Sequence, residues 1–327
     1  MPVLLGEKDV RAVLSMDDLI AAMETALDQY SGGGVRQPLC SVVDVGDGHA
    51  FYGVMPAFIN QPPALGTKLV TVFHSNAAAG LPSHLATIIL LDPETGALQA
   101  VMDGRYITEA RTAAVSAAST KHLARPDARV LAILGYGVQG LSHGQALPRV
   151  RAFDEIRISG RNPEQARHLA IALSDAGVRG AISAVPSPRD AVDGADVIAL
   201  VTASPEPVLF RDWVKPGAHI CAVGACRPNQ REMDTALVRD ARLFVDSRAG
   251  ALAEAGDLVI PMREGAIDAS HIAGELGDVI GRRTPGRRTA GEITIFKSLG
   301  MAVEDVAAAR LAFERASERG LGRGFVL

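Results

Sequence analysis

The sequence predicts an α/β protein of two domains, a doubly wound parallel sheet and a separate α+β unit. Three observations carry the prediction: a glycine-punctuated junction of strand and helix near residue 135, short strand–helix alternation after residue 126, and strands without intervening helices before it. A chain of 327 residues suits two cores better than one. The formal net charge of −4, scattered along the chain, gives no footprint for nucleic acid, so a small-molecule partner is expected. Cys40, Cys221 and Cys226 are too few and too unevenly spaced for a disulfide framework or a zinc site, and no metal is expected. The N-terminal segment turns polar too early for a signal peptide and no apolar run approaches a membrane span. A cytoplasmic setting is the expectation.

The first predicted element is a helix opening at Ser15, because the apolar residues from Met16 to Leu27 recur at helical spacing behind a serine cap. Strand candidates follow at 41–45, 50–55, 67–73, 84–91 and 97–102, the last two joined by the turn Asp92-Pro-Glu-Thr-Gly96, and read as an antiparallel sheet. A helix over 108–123, capped by Thr108, leads onward. Candidate strands at 130–134, 156–159, 180–185, 197–202, 219–223 and 243–246 then alternate with helices at 163–176, 188–192, 234–239 and 248–255. A final helix over 303–319 returns to the first domain in the most economical topology. The expected domains are 1–120 with 303–327, and 121–302.

The apolar run 129–134 breaks into Gly135-Tyr136-Gly137-Val138-Gln139-Gly140 and continues as a helix, which is the dinucleotide fingerprint in its proper setting. The second domain is therefore expected to be of Rossmann type. Gly135 would allow the tight turn, Gly137 the approach of a pyrophosphate, and Gly140 close packing of helix on strand, with free helix amides facing the anion. The ribose position falls about twenty residues on. There, Ser159, Arg161 and Asn162 stand where NAD enzymes carry an acid, and a guanidinium suits a 2′-phosphate, so NADP is favoured with NAD possible. Alternatively Asn162 caps the next helix, Pro163 sits at its first position and Arg161 is a solvated loop residue. Thr202, Ala203, Val223, Gly224 and Ser298 complete the candidate cofactor contacts.

Two basic residues draw attention to the first domain. Arg111 would sit in the first turn of the helix capped by Thr108, where a cation opposes the helix dipole unless an anion binds it. It is either a carboxylate ligand working with free helix amides or the partner of a nearby Glu. Lys68 shares one strand face with Val70 and Val72. It either snorkels from a sheet edge or reaches a cleft where burial lowers its pKa toward acid–base use. His74, His84, Glu254 and Asp257 read as structural or solvated by spacing alone.

Gly53-Val-Met-Pro-Ala57, Thr67-Lys-Leu-Val70, Leu81-Pro-Ser-His84, Val101-Met-Asp-Gly104, Ile107-Thr-Glu-Ala-Arg-Thr-Ala-Ala-Val-Ser116, Ala222-Val-Gly-Ala-Cys-Arg-Pro228 and Phe296-Lys-Ser-Leu-Gly-Met-Ala-Val-Glu-Asp305 together resemble the ornithine cyclodeaminase/mu-crystallin family over nearly the whole chain, closest to its mu-crystallin branch. The resemblance implies a homodimer formed through the first domain, a nicotinamide cofactor on the second, and Lys68 and Arg111 as ligands of a substrate carboxylate, with Lys68 beside the reacting carbon. Phe51, Met55, Cys226 and Glu254 are the further candidate substrate contacts.

The departures from the family pattern are informative. Cys40 stands where the family usually has a carboxylate-binding Arg. Arg36 has the same strand parity but lies about 13 Å away along an extended chain, so it replaces that Arg only if the backbone is rearranged. Gly53 and Cys226 stand where cyclodeaminases carry a Glu and a catalytic Asp. Ornithine cyclisation is thereby disfavoured. The function implied is NAD(P)H-dependent reduction of imino acids, cyclic ketimines or acyclic imines of 2-oxo acids, by hydride transfer to the α-carbon. An alanine-type dehydrogenase and a non-catalytic NADPH-dependent binder are the alternatives.

Overall fold

The structure, a computed structural model, describes residues 1–46 and 50–326, with His74 and Ala77 described in their backbone alone. The chain divides into two compact units, Met1–Arg111 with Gly300–Leu327, and Thr112–Leu299.

The first unit opens with strand β1 (Val3–Leu5) and helix α1 (Glu7–Val13), both too short to declare themselves by periodicity. Helix α2 (Met16–Ser31) begins behind Ser15, whose hydroxyl accepts from the Asp18 N–H at 3.1 Å, and it buries Leu19, Ile20, Met23, Ala26 and Leu27. The sheet strands are β2 (Val35–Arg36), β3 (Ser41–Val45), β4 (Ala50–Ile59), β5 (Ala64–Phe73), β6 (His84–Leu91) and β7 (Leu98–Asp103). From one edge the order is the C-terminal strand Arg323–Gly324, β1, β7, β6, β5, β4, β2, and β3 also pairs with β4. The antiparallel expectation holds from β3 to β7 and fails at β1, which runs parallel to β7 because helices and the whole meander intervene between them. β4 extends past its predicted end because Pro56 reads as a breaker in sequence yet remains within the strand. The C-terminal helix Ala302–Glu318 packs against α2, β4, β5 and β6.

Helix α3 (Arg105–Leu123) starts three residues before the predicted 108. Asp103 accepts from the Tyr106 N–H at 2.9 Å and so does the capping, whereas the Thr108 hydroxyl donates back to the Gly104 carbonyl at 2.7 Å inside the first turn. Arg111 therefore lies beyond the first turn, away from the unpaired amides. Its expected helix-terminus anion site is not formed.

In the second unit the strands are β8 (Val130–Leu134), β9 (Glu155–Ser159), β10 (Ala181–Ala184), β11 (Val197–Leu200), β12 (His219–Ala222), β13 (Arg242–Val245), β14 (Ile272–Glu275) and β15 (Thr294–Lys297). All pair in parallel, in the order β10-β9-β8-β11-β12-β15-β13-β14. The order reverses between β8 and β11, and the carboxyl ends of the strands flanking that switch are where such sheets bind ligands. Helices α4 (Val138–Ala146), α5 (Pro163–Asp175), α6 (Pro188–Val192), α7 (Thr235–Asp240), α8 (Arg248–Glu254), α9 (Gly256–Arg263) and α10 (Leu276–Ile280) connect them. Sequence patterning missed α9, which contains Pro261, and β15, four residues inserted between β12 and β13. Among the described residues, no helix is long and apolar enough to cross a membrane.

Candidate functional site

The fingerprint turn follows β8. Gly135 has φ +119°, and a Cβ there would lie 2.5 Å from the Val201 carbonyl oxygen, so only glycine fits. A Cβ on Gly140 would meet the Gly135 oxygen at 2.5 Å and Leu169 at 3.0 Å, which is the close packing of α4 on its neighbours. Gly137 caps α4 with nothing within 4 Å of its Cβ position, leaving the backbone open beside the first-turn amides of Val138, Gln139 and Gly140. Gln139 Oε1 and Ser159 Oγ, on the fingerprint helix and at the end of β9, are buried without a hydrogen-bond partner. An open glycine cradle and two orphaned polar atoms fit a bound dinucleotide. Tyr136 packs over Gly160, where a Cβ would fall 2.4 Å from the ring. Asn162 accepts from the Glu164 and Gln165 N–H groups and caps α5, while the neighbouring Arg161 is exposed.

At the carboxyl ends of β11 and β12 the structure gathers Thr202, Ala203, Val223, Gly224 and Cys226, and Ser298 follows β15. The N–H groups of Thr202 and Gly224 both donate to Glu232, at 2.8 and 2.7 Å, so these two residues present walls rather than free donors. Ser298 Oγ donates to Asp246 at 3.3 Å. Cys226 is exposed, its thiol donating to the Val223 carbonyl at 3.3 Å. Glu254 closes α8, and burial, followed by the Asp246 charge, pushes its carboxyl above the usual range.

In the first unit Lys68 is 2 % exposed, which excludes the snorkelling alternative. Its Nζ lies 2.6 Å from Asp305 Oδ2, and the other Asp305 oxygen accepts from Arg111 Nε at 2.9 Å. Arg111 Nη1 reaches Glu304 at 2.6 Å. The ion pair weighed for Arg111 is therefore present, with two acids from the first turn of the C-terminal helix rather than a near neighbour in sequence. Burial lowers the Lys68 pKa, Arg111 adds to this and Asp305 opposes it. Burial alone would raise Asp305, but Arg111 and Lys68 hold it below its ordinary value.

Strand pairing sets Met55 opposite Lys68, Phe51 opposite Val72, and Val72 opposite His84, so Phe51, Met55, Lys68 and His84 share one sheet face. Burial, then the Lys68 and Arg111 charges, drive His84 down to about 4. Spacing in the sequence undervalued this histidine, because its relation to Lys68 arises only through β5–β6 pairing. The His74 side chain lies outside the described residues. Arg36 pairs with Phe58 and Ser41 with Val54, so five steps on one chain face four on the other. That insertion turns Arg36 to the face opposite Lys68 and leaves Cys40 on the Lys68 side, with Sγ 3.2 Å from a Cβ built on Gly53. Equal parity in the sequence was misleading for this reason, and Arg36 does not take the place of the missing Arg.

Two histidines stand inside the second unit. His143 meets the Gln139 carbonyl through Nδ1 at 2.8 Å and Ser116 Oγ through Nε2 at 2.9 Å, so the neutral ring ties the fingerprint helix to α3. Burial drives His143 to about 4 and His219, on β12, to about 3. No local pattern marks the acids Glu232, Glu304 and Asp305, beyond the presence of the last two in a recognisable string.

A doubly wound sheet with an open glycine cradle, in a chain that also buries a lysine and an arginine against paired carboxylates, defines a dinucleotide-dependent oxidoreductase. The profile of the Ornithine cyclodeaminase/mu-crystallin family matches residues 2–320, and the chain belongs to that family. It is 45 % identical over 317 residues to the ketimine reductase mu-crystallin of Mus musculus, covering 96 % of this chain and 97 % of that one. The structure of Thermococcus litoralis Delta(1)-pyrroline-2-carboxylate reductase in complex with NADH and L-proline superposes with a TM-score of 0.95 at 38 % identity, covering 99 % of this chain and 100 % of that one. An archaeal alanine dehydrogenase dimer with bound NAD gives 0.94 at 31 % identity, covering 99 % of each.

Proposed function

We propose that this chain reduces the C=N bond of a small imino acid, a cyclic ketimine such as pyrroline- or piperideine-2-carboxylate or an acyclic imine of a 2-oxo acid, to the L-amino acid. The observation that carries the reading is the Lys68–Asp305–Arg111 cluster on the sheet face shared with Phe51, Met55 and His84. Lys68 and Arg111, the two buried cations of this face, hold the substrate carboxylate. The reduced nicotinamide, when bound, supplies the hydride for the α-carbon. The imine nitrogen takes a proton from solvent or from Lys68, whose pKa burial lowers from its ordinary value. Gly53 and Cys226 supply neither of the carboxylates that cyclodeaminases use, which supports simple reduction over ornithine cyclisation.

The cofactor lies on the fingerprint of the second unit, its pyrophosphate at Gly137 and the amides of Val138, Gln139 and Gly140, its adenosine ribose near Ser159, Arg161 and Asn162. NADPH is preferred because Arg161 is exposed at the ribose position, ready for a 2′-phosphate. Replacing Arg161 by Ala removes about 1.5–3 kcal/mol of charge-assisted hydrogen bonding, and so weakens NADPH roughly ten- to hundredfold with NADH little changed. Equal wild-type affinity for the two cofactors counts against this assignment. The chain acts as a homodimer: Leu39, Val42, Val43 and Val45 are exposed at and beside β3, an apolar edge that a second copy would cover. The free thiols suit the reducing cytoplasm. The deciding experiment follows NADPH oxidation with a panel of imines beside direct cofactor binding; binding without turnover on any imine replaces the enzyme by a non-catalytic binder.

A further inference from the structure

Glu232, Asp257 and Lys297 form a fully buried charged group in the second unit, none of them singled out by sequence as a site residue. Glu232 Oε1 accepts from the Thr202 N–H at 2.8 Å and the Thr202 hydroxyl at 2.7 Å, and Oε2 from the Gly224 N–H at 2.7 Å and the Ala225 N–H at 3.2 Å. Every one of these donors lies in the turns just past β11 and β12, and the Gly224 N–H is shared with the Leu200 carbonyl at 3.2 Å. Asp257 Oδ1 accepts from the Glu232 N–H at 2.8 Å, Asp257 Oδ2 lies 3.1 Å from Lys297 Nζ, and Lys297 donates to the Ala225 carbonyl at 2.6 Å, which closes a ring around the Ala225 peptide. The turns approach so closely that a Cβ on Gly224 would fall 2.0 Å from the Thr202 carbonyl oxygen and 2.6 Å from Glu232 itself.

A buried carboxylate is costly unless its acceptors are satisfied, and here donors converge on both oxygens. Only an acceptor-only group meets them all. A glutamine of the same shape would direct its NH2 at either the Thr202 pair or the Gly224–Ala225 pair, so neither flip leaves every backbone N–H with an acceptor. The clamp thus fixes the spacing of two turns at the carboxyl edge of the sheet, on the side of the switch point away from the fingerprint. In a doubly wound sheet the second mononucleotide half binds on that side.

Resting on the dinucleotide reading above, we propose that Glu232 is a positioning residue for the nicotinamide half of the cofactor, holding the turns at Thr202 and Gly224 to the width that half requires. Asp257 and Lys297 brace it from behind. The adenosine half, seated on the fingerprint and Arg161, is independent of the clamp.

The test uses the full chain and the variant Glu232→Gln, with adenosine 2′,5′-bisphosphate as the probe of one half and NADPH as the probe of both, binding read by calorimetry and turnover by NADPH oxidation. The expected result is bisphosphate affinity within about twofold of wild type, with NADPH affinity or kcat reduced at least about tenfold. Thr202→Val, which removes one hydroxyl donor and leaves the carboxylate, provides the second arm and should show the same split at smaller size should the Gln variant fail to fold. Equal weakening of both probes means that Glu232 only supports the fold, and unchanged NADPH binding and turnover means that the clamp is idle; either overturns the proposal. A wild-type chain that binds neither probe overturns the dinucleotide reading as well.

Discussion

Lys68 and Lys297 invite comparison: both lie on strands, both are almost wholly buried, and each faces an aspartate, at 2.6 and 3.1 Å. Their surroundings differ. Lys297 has the Ala225 carbonyl and Asp257 about it, is held above its ordinary pKa by Asp257 against the opposing effect of burial, and takes part in a clamp on backbone turns. Lys68 shares its aspartate with a second cation, is held below its ordinary pKa, and lies on a sheet face with the half-buried Phe51, Met55 and His84. Burial of a lysine is therefore no mark of chemistry. A neighbouring cation that competes for the same carboxylate, beside a partly open face, is the better sign.

The largest expected effect that would break the comparison is on turnover. Lys68→Ala and Arg111→Ala should each lower kcat for imine reduction by about a thousandfold or more while NADPH affinity survives. Near-wild-type turnover with an intact KM would return either residue to a structural role. On the other side, Lys297→Met strands the buried Asp257 charge and should cost about 3–5 kcal/mol of stability, read as a lowered midpoint in denaturant. Lys68→Met should cost about half that or less, because Arg111 still faces Asp305. Equal losses would erase the distinction.

Sharpening rather than breaking it, Asp305→Asn removes the charge that opposes the lowering of the Lys68 pKa. If Lys68 donates the proton, its acidic form then disappears at lower pH, so the alkaline limb of the kcat profile should move to lower pH, with turnover on that limb reduced roughly ten- to hundredfold. A profile unmoved on the pH axis assigns the proton to solvent. The smallest effect concerns Cys226, a candidate substrate contact by the family resemblance. Cys226→Ala should leave kcat within about tenfold of wild type, with a changed substrate range, and loss of more than about a thousandfold in a folded, cofactor-binding variant would make the thiol a participant.

The same contrast shows what the sequence could convey. Local signals were sufficient for Ser15, for the fingerprint at Gly135 to Gly140 and for the alternation that became β8 to β13, because capping, glycine conformation and periodicity act over a few residues. Lys68 could be singled out because its valine neighbours reveal the face it occupies. Its aspartate could not, since Asp305 is brought to it by a helix more than two hundred residues away. Glu232 was hidden because the turn amides it binds, 8 and 30 residues away, carry no side-chain pattern, and β15 because four residues carry too little pattern to be read. Thr108 misled as a cap because a threonine inside a first turn can bond backward as easily as forward.

The extra residue between β2 and β3 bears on how this pocket could change over generations. Cys40 and Gly53 are neighbours across two strands, and a Cβ on Gly53 would press on both Cys40 and Val70, at 3.2 and 3.0 Å. A lineage moving toward an acid at 53 must first make room at 40 or 70, and one moving toward an arginine must acquire it at 40, since position 36 is turned to the other face. The positions are coupled through this contact, since a side chain at 53 needs Cys40 and Val70 to give way by a few tenths of an ångström.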